Sequence, residues 1–234
     1  MIEFVAPSGK GRSFQGTSRV RLGDSGPNGV LRLDGLARML QDVATDDAED
    51  TGVVNQDVWV VRRTAVRVAD GGQWPKYLDQ LRLVTWCGGY GAAWAERRTN
   101  VFCHDQLLLE AASLWVPIDE TGHPLRIRPS FHEVYGEALN GRKVSGRVPE
   151  PVVAEGAAQR CWTLRVADLD IIGHVNNAAI WQAVTEVLPS TPRYVAMVHH
   201  GSLEAGDEVT LFSSDAGIWL VVAGQVRVSV EFAL

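Results

Sequence analysis

The chain has 234 residues, 46% of them hydrophobic, with eight tryptophans, which is enough apolar material for one large core or two small ones and excludes a disordered segment. Its formal charge of -6 comes from 28 acidic against 22 basic residues with no long basic run, so no phosphate-tracking surface and no nucleic-acid partner are expected. Cys87, Cys103 and Cys161 match no zinc spacing and no disulfide framework, so they read as reduced packing residues and no metal or cofactor is called for. The opening "MIEFVAPSGKGRSFQG" lacks the apolar core of a signal peptide and no apolar run is long enough to cross a bilayer, which points to a cytoplasmic protein without a membrane partner.

The first helix signal follows "LRLDG", where Asp34 accepts free amide hydrogens at a helix start and Leu36, Met39, Leu40 and Val43 recur on one face. Gly52, after the acidic "DDAEDTG", is placed to end it. Four strand signals come next, "VWVVRRTAVRV", "LRLVTWCGG", "AAWAERRTNVF" and "LLLEAASLWVPID", all rich in β-branched and aromatic residues. One helix followed by four strands predicts an antiparallel sheet covering that helix.

Residues 140–158, "NGRKVSGRVPEPVVAEGAA", read as a linker from their Gly, Pro and charge content. They divide the chain into an N-terminal unit, 1–139, and a C-terminal unit, 159–234. The second unit repeats the plan. A strand in "CWTLRV" leads to "DLDIIGHVNN", then a helix capped by Asn176 or Asn177, with Ile180, Val184, Val187 and Leu188 on one face and Pro189 closing it. "RYVAMVHH", "EVTLFSS", "GIWLVVAG" and "VRVSVEFAL" supply four more strands, with "DAG" as a hairpin turn. The repeated order predicts an α+β fold of two pseudo-symmetric units sharing a composite sheet.

"DLDIIGHVNN" therefore sits between a strand end and a helix start, where backbone N–H groups and the positive end of the helix dipole are exposed to a ligand. Gly173 permits close approach. A carboxylate there can deprotonate water or attack directly, and a neighbouring imidazole can orient the water or exchange a proton, so Asp170 and His174 are the candidate pair. The competing reading is a polar turn in which the aspartates and asparagines serve only to cap and fold the chain.

The same stretch, followed by "AAIW", resembles the second-half signature of acyl-acyl-carrier-protein thioesterases, an Asp-x-Asn-x-His-Val-Asn-Asn run before the central helix of a hotdog domain. "SGPNGVLRLDGLARMLQDVA", "WVVRRTAVRV" and "AASLWVPIDETGHPLRIRPSF" resemble the first hotdog domain of that family in the same order, so the similarity spans most of residues 17–188. The resemblance implies a tandem hotdog, two long central helices each wrapped by an antiparallel sheet. It also implies hydrolysis of the thioester joining a fatty acyl chain to the phosphopantetheine arm of acyl carrier protein. The family's acidic catalytic residue falls on Asp170 and its histidine on His174, with backbone amides near Gly173 and Val175 polarising the carbonyl and Asn176 and Asn177 positioning substrate. Two positions depart from the family pattern. Its intervening asparagine is Ile172, and its downstream glutamate falls on Ser202, with Glu204 displaced by two. The first unit's turn, "RLGDSGPNGVLRLDG", lacks a histidine, which implies one active site per chain and an acyl-binding wall from the first unit. The alternatives are a coenzyme A thioesterase and a non-catalytic acyl- or carrier-binding protein, and pairing of two chains through exposed sheet edges is compatible with either.

Other candidates favour structural roles. Of His199 and His200 at most one can point inward, and a plain strand position is preferred. The Arg62–Arg63 and Arg97–Arg98 pairs could meet an acidic carrier or a phosphate, but read better as exposed strand faces. Trp59, Trp86, Trp94, Trp115 and Trp162 could line an acyl tunnel or serve core packing. No nucleophile elbow, phosphate loop or HExxH motif is present.

Overall fold

A computed structural model describes residues 2–52 and 57–234. Strand β1 (Ser13–Arg19) precedes helix α1 (Leu33–Asp50), then β2 (Val58–Val68), β3 (Gln80–Tyr90), β4 (Ala95–Cys103), β5 (Gln106–Ile118) and α2 (Pro129–Leu139). The second series is β6 (Ala158–Trp162), α3 (Asn177–Thr185), β7 (Tyr194–His199), β8 (Val209–Ser214), β9 (Gly217–Val222) and β10 (Gln225–Ala233).

Among the described residues all the named strands join one antiparallel sheet in the order β1-β3-β4-β5-β2-β7-β10-β9-β8-β6. Read from either end, the order is the same: the first strand of each series lies outermost and the strand after α1 or α3 lies at the centre. The halves meet where β2 and β7 run antiparallel with Ala65 opposite Ala196, so a pseudo-twofold axis passes through that pair.

Helices α1 and α3 lie together on one face of the sheet. Leu36, Met39, Leu40 and Val43 of α1 share a core with Ile180, Trp181 and Val184 of α3 and with inward residues such as Leu83, Val101, Met197 and Leu220. Alternation along each strand supplies that inward face, and the helices bury it. The expectation of two long helices is corrected. Only α1 is long, with 18 residues, whereas α3 has nine and ends at Thr185 rather than continuing through Leu188. The helix α2 packs on β3 and forms a second core of Cys87, Ala95, Tyr135 and Leu139, and it starts with Pro129, whose fixed φ suits a first helical position.

Residues 141–147 follow the first half closely. Val144 N donates to Tyr90 O at 3.0 Å and Arg142 bonds Glu96 and Glu3. The N-terminal segment crosses the outer sheet face, where Ile2 and Phe4 cover Ala65, Tyr194 and Ala196. No helix of the described residues is long and apolar enough to cross a membrane.

Candidate functional site

The turn before α3 is built by its own side chains. Arg165 folds onto Asp168 through its backbone N–H at 2.8 Å and its guanidinium at 2.6 Å, closing a short 3-10 turn over Val166–Asp168. Burial alone would raise the Asp168 carboxyl pKa, but the Arg165 hydrogen bonds and charge outweigh it and hold the group below the usual carboxylate range. Past it the chain reverses. Asp170 N donates to His174 O at 2.8 Å, and Gly173 N to Asp170 O at 3.0 Å, with Gly173 at φ 84°, the left-handed region that glycine enters without a Cβ penalty. Asn176 then caps α3, its Oδ1 accepting from Ala178 N at 2.8 Å.

This places Asp170 and His174 on one reverse turn beside the start of α3. Asp170 Oδ1 accepts from Ile172 N at 3.0 Å, which fixes the carboxylate against the turn. His174 is about half exposed, and its Nε2 lies 3.3 Å from Glu204 Oε2. Ser202 Oγ donates to the other oxygen, Glu204 Oε1, at 2.5 Å. Ser202 and Glu204 stand on the same side of an extended segment whose intervening Leu203 is buried. Glu204 thus reaches the imidazole from a position two residues beyond the one the family pattern indicated, and Ser202 holds Glu204. The two-residue period of extended chain was the signal that connects them. Ile172 is 58% exposed, so its side chain leaves the turn rather than entering the site.

Two expected donors are spent elsewhere. Gly173 N is bonded within the turn, and Val175 N donates to Leu203 O at 2.9 Å, so neither is free to polarise a carbonyl. Free donors at an α-helix start lie in its first turn. With Ala178 N taken by the cap, those of α3 are Asn177 N and Ala179 N.

A cavity of about 310 Å³ opens between α1, α2 and the sheet of the first half, with Ala48, Trp59, Ala95, Trp115, Phe131 and Tyr135 among its walls. A narrow gap lies between it and the start of α3. Arg97 and Trp115 border both spaces, and Asn177, Ala178 and His199 border the gap. The interior at this end is polar. Asp47 holds Arg12 at 2.7 Å, Arg97 at 2.6 Å and the Tyr135 hydroxyl at 2.9 Å. Burial raises the Tyr135 hydroxyl to about 12.

These contacts correct several sequence expectations. Arg97 and Arg98 are not an exposed strand face. Arg97 points inward to Asp47, while Arg98 is 2% exposed and bound to Glu96 at 2.6 Å under the N-terminal segment. His199 faces the gap, and burial, with Arg62 and His200 adding to it, lowers its pKa to about 4, so it is neutral at pH 7. His200 points away and meets Ser229. Trp59 and Trp115 line cavity walls, whereas Trp86 is packed away, 3% exposed. Cys161 is exposed and so is not a packing residue, while burial raises the Cys87 thiol to about 12. No group of three or more His, Cys, Asp and Glu among the described residues is placed to hold a metal ion.

The turn occurs twice. In the first half Asp24 N donates to Arg21 O at 3.0 Å, Gly26 N to Val30 O at 2.9 Å, Gly29 N to Gly26 O at 2.9 Å, Leu31 N to Pro75 O at 2.8 Å and Arg32 N to Asp24 O at 2.8 Å. The second half makes the equivalent bonds from Asp168, Asp170, Gly173, Val175 and Asn176. Gly29 has φ 74° where Gly173 has 84°. By this match Gly26 stands in the place of Asp170 and Val30 in that of His174. The Val30–Lys76 bridge matches the His174–Glu204 bridge, which puts Lys76 in the place of Glu204 and Trp74 in that of Ser202.

A family model described as the acyl-ACP thioesterase N-terminal domain matches residues 11–135, and its C-terminal counterpart matches residues 154–216. An oleoyl-acyl carrier protein thioesterase of Coriandrum sativum is 24% identical over 216 residues, covering 81% of this chain and 56% of that protein. An uncharacterized protein of Mycobacterium tuberculosis is 23% identical over 188 residues, covering 77% of this chain and 74% of its own. Among solved structures, the 12:0-ACP thioesterase from Umbellularia californica superposes with a TM-score of 0.79 at 18% identity, covering 94% of this chain and 96% of that one. An acyl-ACP thioesterase from Bacteroides thetaiotaomicron gives 0.80 at 18% identity, with 94% and 97% covered. At that identity the two structures establish a shared fold.

Proposed function

We infer, from the premise that this chain belongs to the acyl-ACP thioesterase family and hydrolyses acyl-carrier-protein thioesters, that the turn of residues 168–177 carries the chemistry. The single observation behind this reading is that of two turns with the same backbone, one alone holds a carboxylate and an imidazole, and a glutamate braces that imidazole at 3.3 Å. Asp170 takes a proton from the attacking water, whose oxygen bonds to the thioester carbon. The oxyanion is held at the first turn of α3 by Asn177 N and Ala179 N, where the helix dipole adds to the hydrogen bonds. As the carbon–sulfur bond breaks, His174 gives a proton to the departing thiolate, the proton taken up by Asp170 restores it after product leaves, and Glu204 keeps the imidazole oriented. Asn176 fixes the helix start, and Ser202 holds Glu204.

In this account the architecture is a tandem hotdog, with residues 1–139 and 159–234 as the two units and 140–158 as the connection. The acyl chain runs from the α3 start past Trp115 into the first-half cavity, whose volume is at the lower end of ordinary ligand sites. The partner is acyl carrier protein bearing its acyl chain on phosphopantetheine, and three free cysteines suit a reducing, cytoplasmic setting.

The test is steady-state hydrolysis of an acyl-carrier-protein series by the wild type and by Asp170→Asn and His174→Ala, each shown to be folded by circular dichroism, with the matching acyl-coenzyme A series in parallel. The expected loss is about two to four orders of magnitude in kcat/KM for each variant, with carrier-protein substrates preferred. An Asp170→Asn enzyme as fast as wild type overturns the assignment.

A further inference from the structure

We propose that the first-half turn is a second ligand site, one that binds a free fatty acid without acting on it. The proposal rests on the acyl-binding reading of the fold. A cleft of about 390 Å³ lies against this turn, walled by Val30, Leu33 and Trp74 from the first half and by Leu188, Pro189 and Pro192 beyond α3. Its floor is firm. Trp74 is 8% exposed and its indole N–H donates to Pro192 O at 2.8 Å, tying the two halves together at the cleft base.

The substitutions between the turns all move the chemistry in one direction. The carboxylate of Asp170 becomes Gly26, the imidazole of His174 becomes the apolar side chain of Val30, the hydroxyl of Ser202 becomes the Trp74 indole, and the carboxylate of Glu204 becomes the exposed ammonium of Lys76. No carboxylate–imidazole pair remains to activate water and protonate a leaving thiolate, so the site does not hydrolyse. Two negative charges are gone and one positive charge has arrived on Lys76, the exposed residue bridged to Val30, beside a cleft whose walls are mainly apolar and whose own cation, Arg32, is already bound to Asp34. A ligand that satisfies both features has a hydrocarbon tail for Val30, Leu33 and Leu188 and an anionic head for Lys76. The free acid that the catalytic turn releases has that chemistry, whereas the acyl thioester has no charge at the matching point.

The test follows the Trp74 indole resonance, assigned by comparison with Trp74→Phe, in the full-length protein titrated with decanoate and with decylammonium below their micellar concentrations. The expected result is a saturable shift with decanoate and none with decylammonium. Lys76→Glu should weaken decanoate binding about tenfold, since it exchanges an exposed attraction for a repulsion. Leu188→Trp fills the cleft and should remove the shift while leaving acyl-carrier-protein hydrolysis within about twofold of wild type. A Trp74 resonance that ignores decanoate, or one that responds equally to both amphiphiles, overturns the proposal whether or not the cleft-filling variant folds. Hydrolysis measured on the same preparations separates the two claims. An active enzyme with a silent Trp74 removes the second site alone, and a responsive Trp74 in a protein that hydrolyses no thioester supports the site and removes the catalytic reading.

Discussion

Residues 21–34 and 165–178 fold into the same turn with equivalent backbone hydrogen bonds and a glycine at φ 74° and 84° respectively, yet only the second holds a carboxylate together with an imidazole. Backbone geometry at a helix start is thus a platform, and four side chains decide what stands on it. The supporting halves differ as well. The first has an 18-residue helix with a buried Asp47 gathering Arg12, Arg97 and Tyr135, and the second has a nine-residue helix over a more apolar interior. In the proposed account the half with the acyl cavity carries the polar network, and the half assigned the chemistry is simpler in its core.

The comparison breaks most visibly at the imidazole. Glu204→Gln leaves His174 in place but removes its negative partner. The kcat on acyl-carrier-protein should fall by at least about tenfold, since losing a charge-assisted hydrogen bond worth about 1.5 kcal/mol at the reacting imidazole costs that factor. Lys76→Gln at the matching point of the first turn should leave kcat unchanged. Equal effects from both would contradict the inequivalence of the turns.

The polar network of the first half gives the largest stability effect. Asp47→Ala leaves Arg97 buried without its carboxylate, and urea unfolding should show a loss of about 3–5 kcal/mol with an unchanged m-value. The position has no helical counterpart in the second half, because α3 ends at Thr185.

A smaller contrast lies between His199 and Val68, which occupy equivalent places on β7 and β2 across the Ala65–Ala196 pair. Burial lowers the folded-state pKa of His199 to about 4 from the usual 6.5 of a histidine side chain. Between those values the unfolded chain binds a proton that the folded chain refuses, so stability falls as pH drops from about 6.5 to about 4, by up to roughly 3 kcal/mol in all. His199→Val should flatten that slope in urea melts recorded at successive pH values, and a slope unchanged by the substitution would show that His199 does not cause it.

The smallest effect compares the two glycines. Gly29→Ala and Gly173→Ala each force a Cβ into the left-handed region with no neighbour within 4 Å of it, so each should cost about 1–2 kcal/mol of stability. Only Gly173→Ala should also slow hydrolysis, because only that turn places a carboxylate beside an imidazole.

Much of this arrangement can be read from the sequence, and the remainder has physical reasons for being hidden. "VWVVRRTAVRV" coincides with β2, and Leu36, Met39, Leu40 and Val43 do form the buried stripe of α1, since period and composition agree there. Strand β1, "SFQGTSR", has no apolar run; its Gly16 passes over Val43, a packing reason that pattern does not reveal. Phe131, Val134, Tyr135, Ala138 and Leu139 recur at helical spacing after Pro129, a signal for α2 that the expectation of one helix and four strands leaves out. The periodicity runs on through Val187 and Leu188 because Leu188 N still donates to Val184 O at 3.1 Å in the closing turn, although the regular helix stops at Thr185. Arg97 and Arg98 looked like surface charge because their partners, Asp47 and Glu96, come from a distant helix and from two residues away on the same strand. At the site, Asp170 and His174 were readable as a pair, whereas the Glu204 contact depends on where a loop more than twenty residues downstream returns. The spent amides of Gly173 and Val175 depend on a turn bond and on Leu203.

The most direct measurement rewrites the catalytic turn with the side chains of its twin. Asp170→Gly combined with His174→Val places the residues of Gly26 and Val30 on a backbone that already accommodates them, so the protein should remain folded by circular dichroism. Its kcat/KM on acyl-carrier-protein should fall by at least about two to four orders of magnitude. A folded double variant that still hydrolyses the thioester at the wild-type rate would show that the chemistry resides elsewhere and would contradict the account.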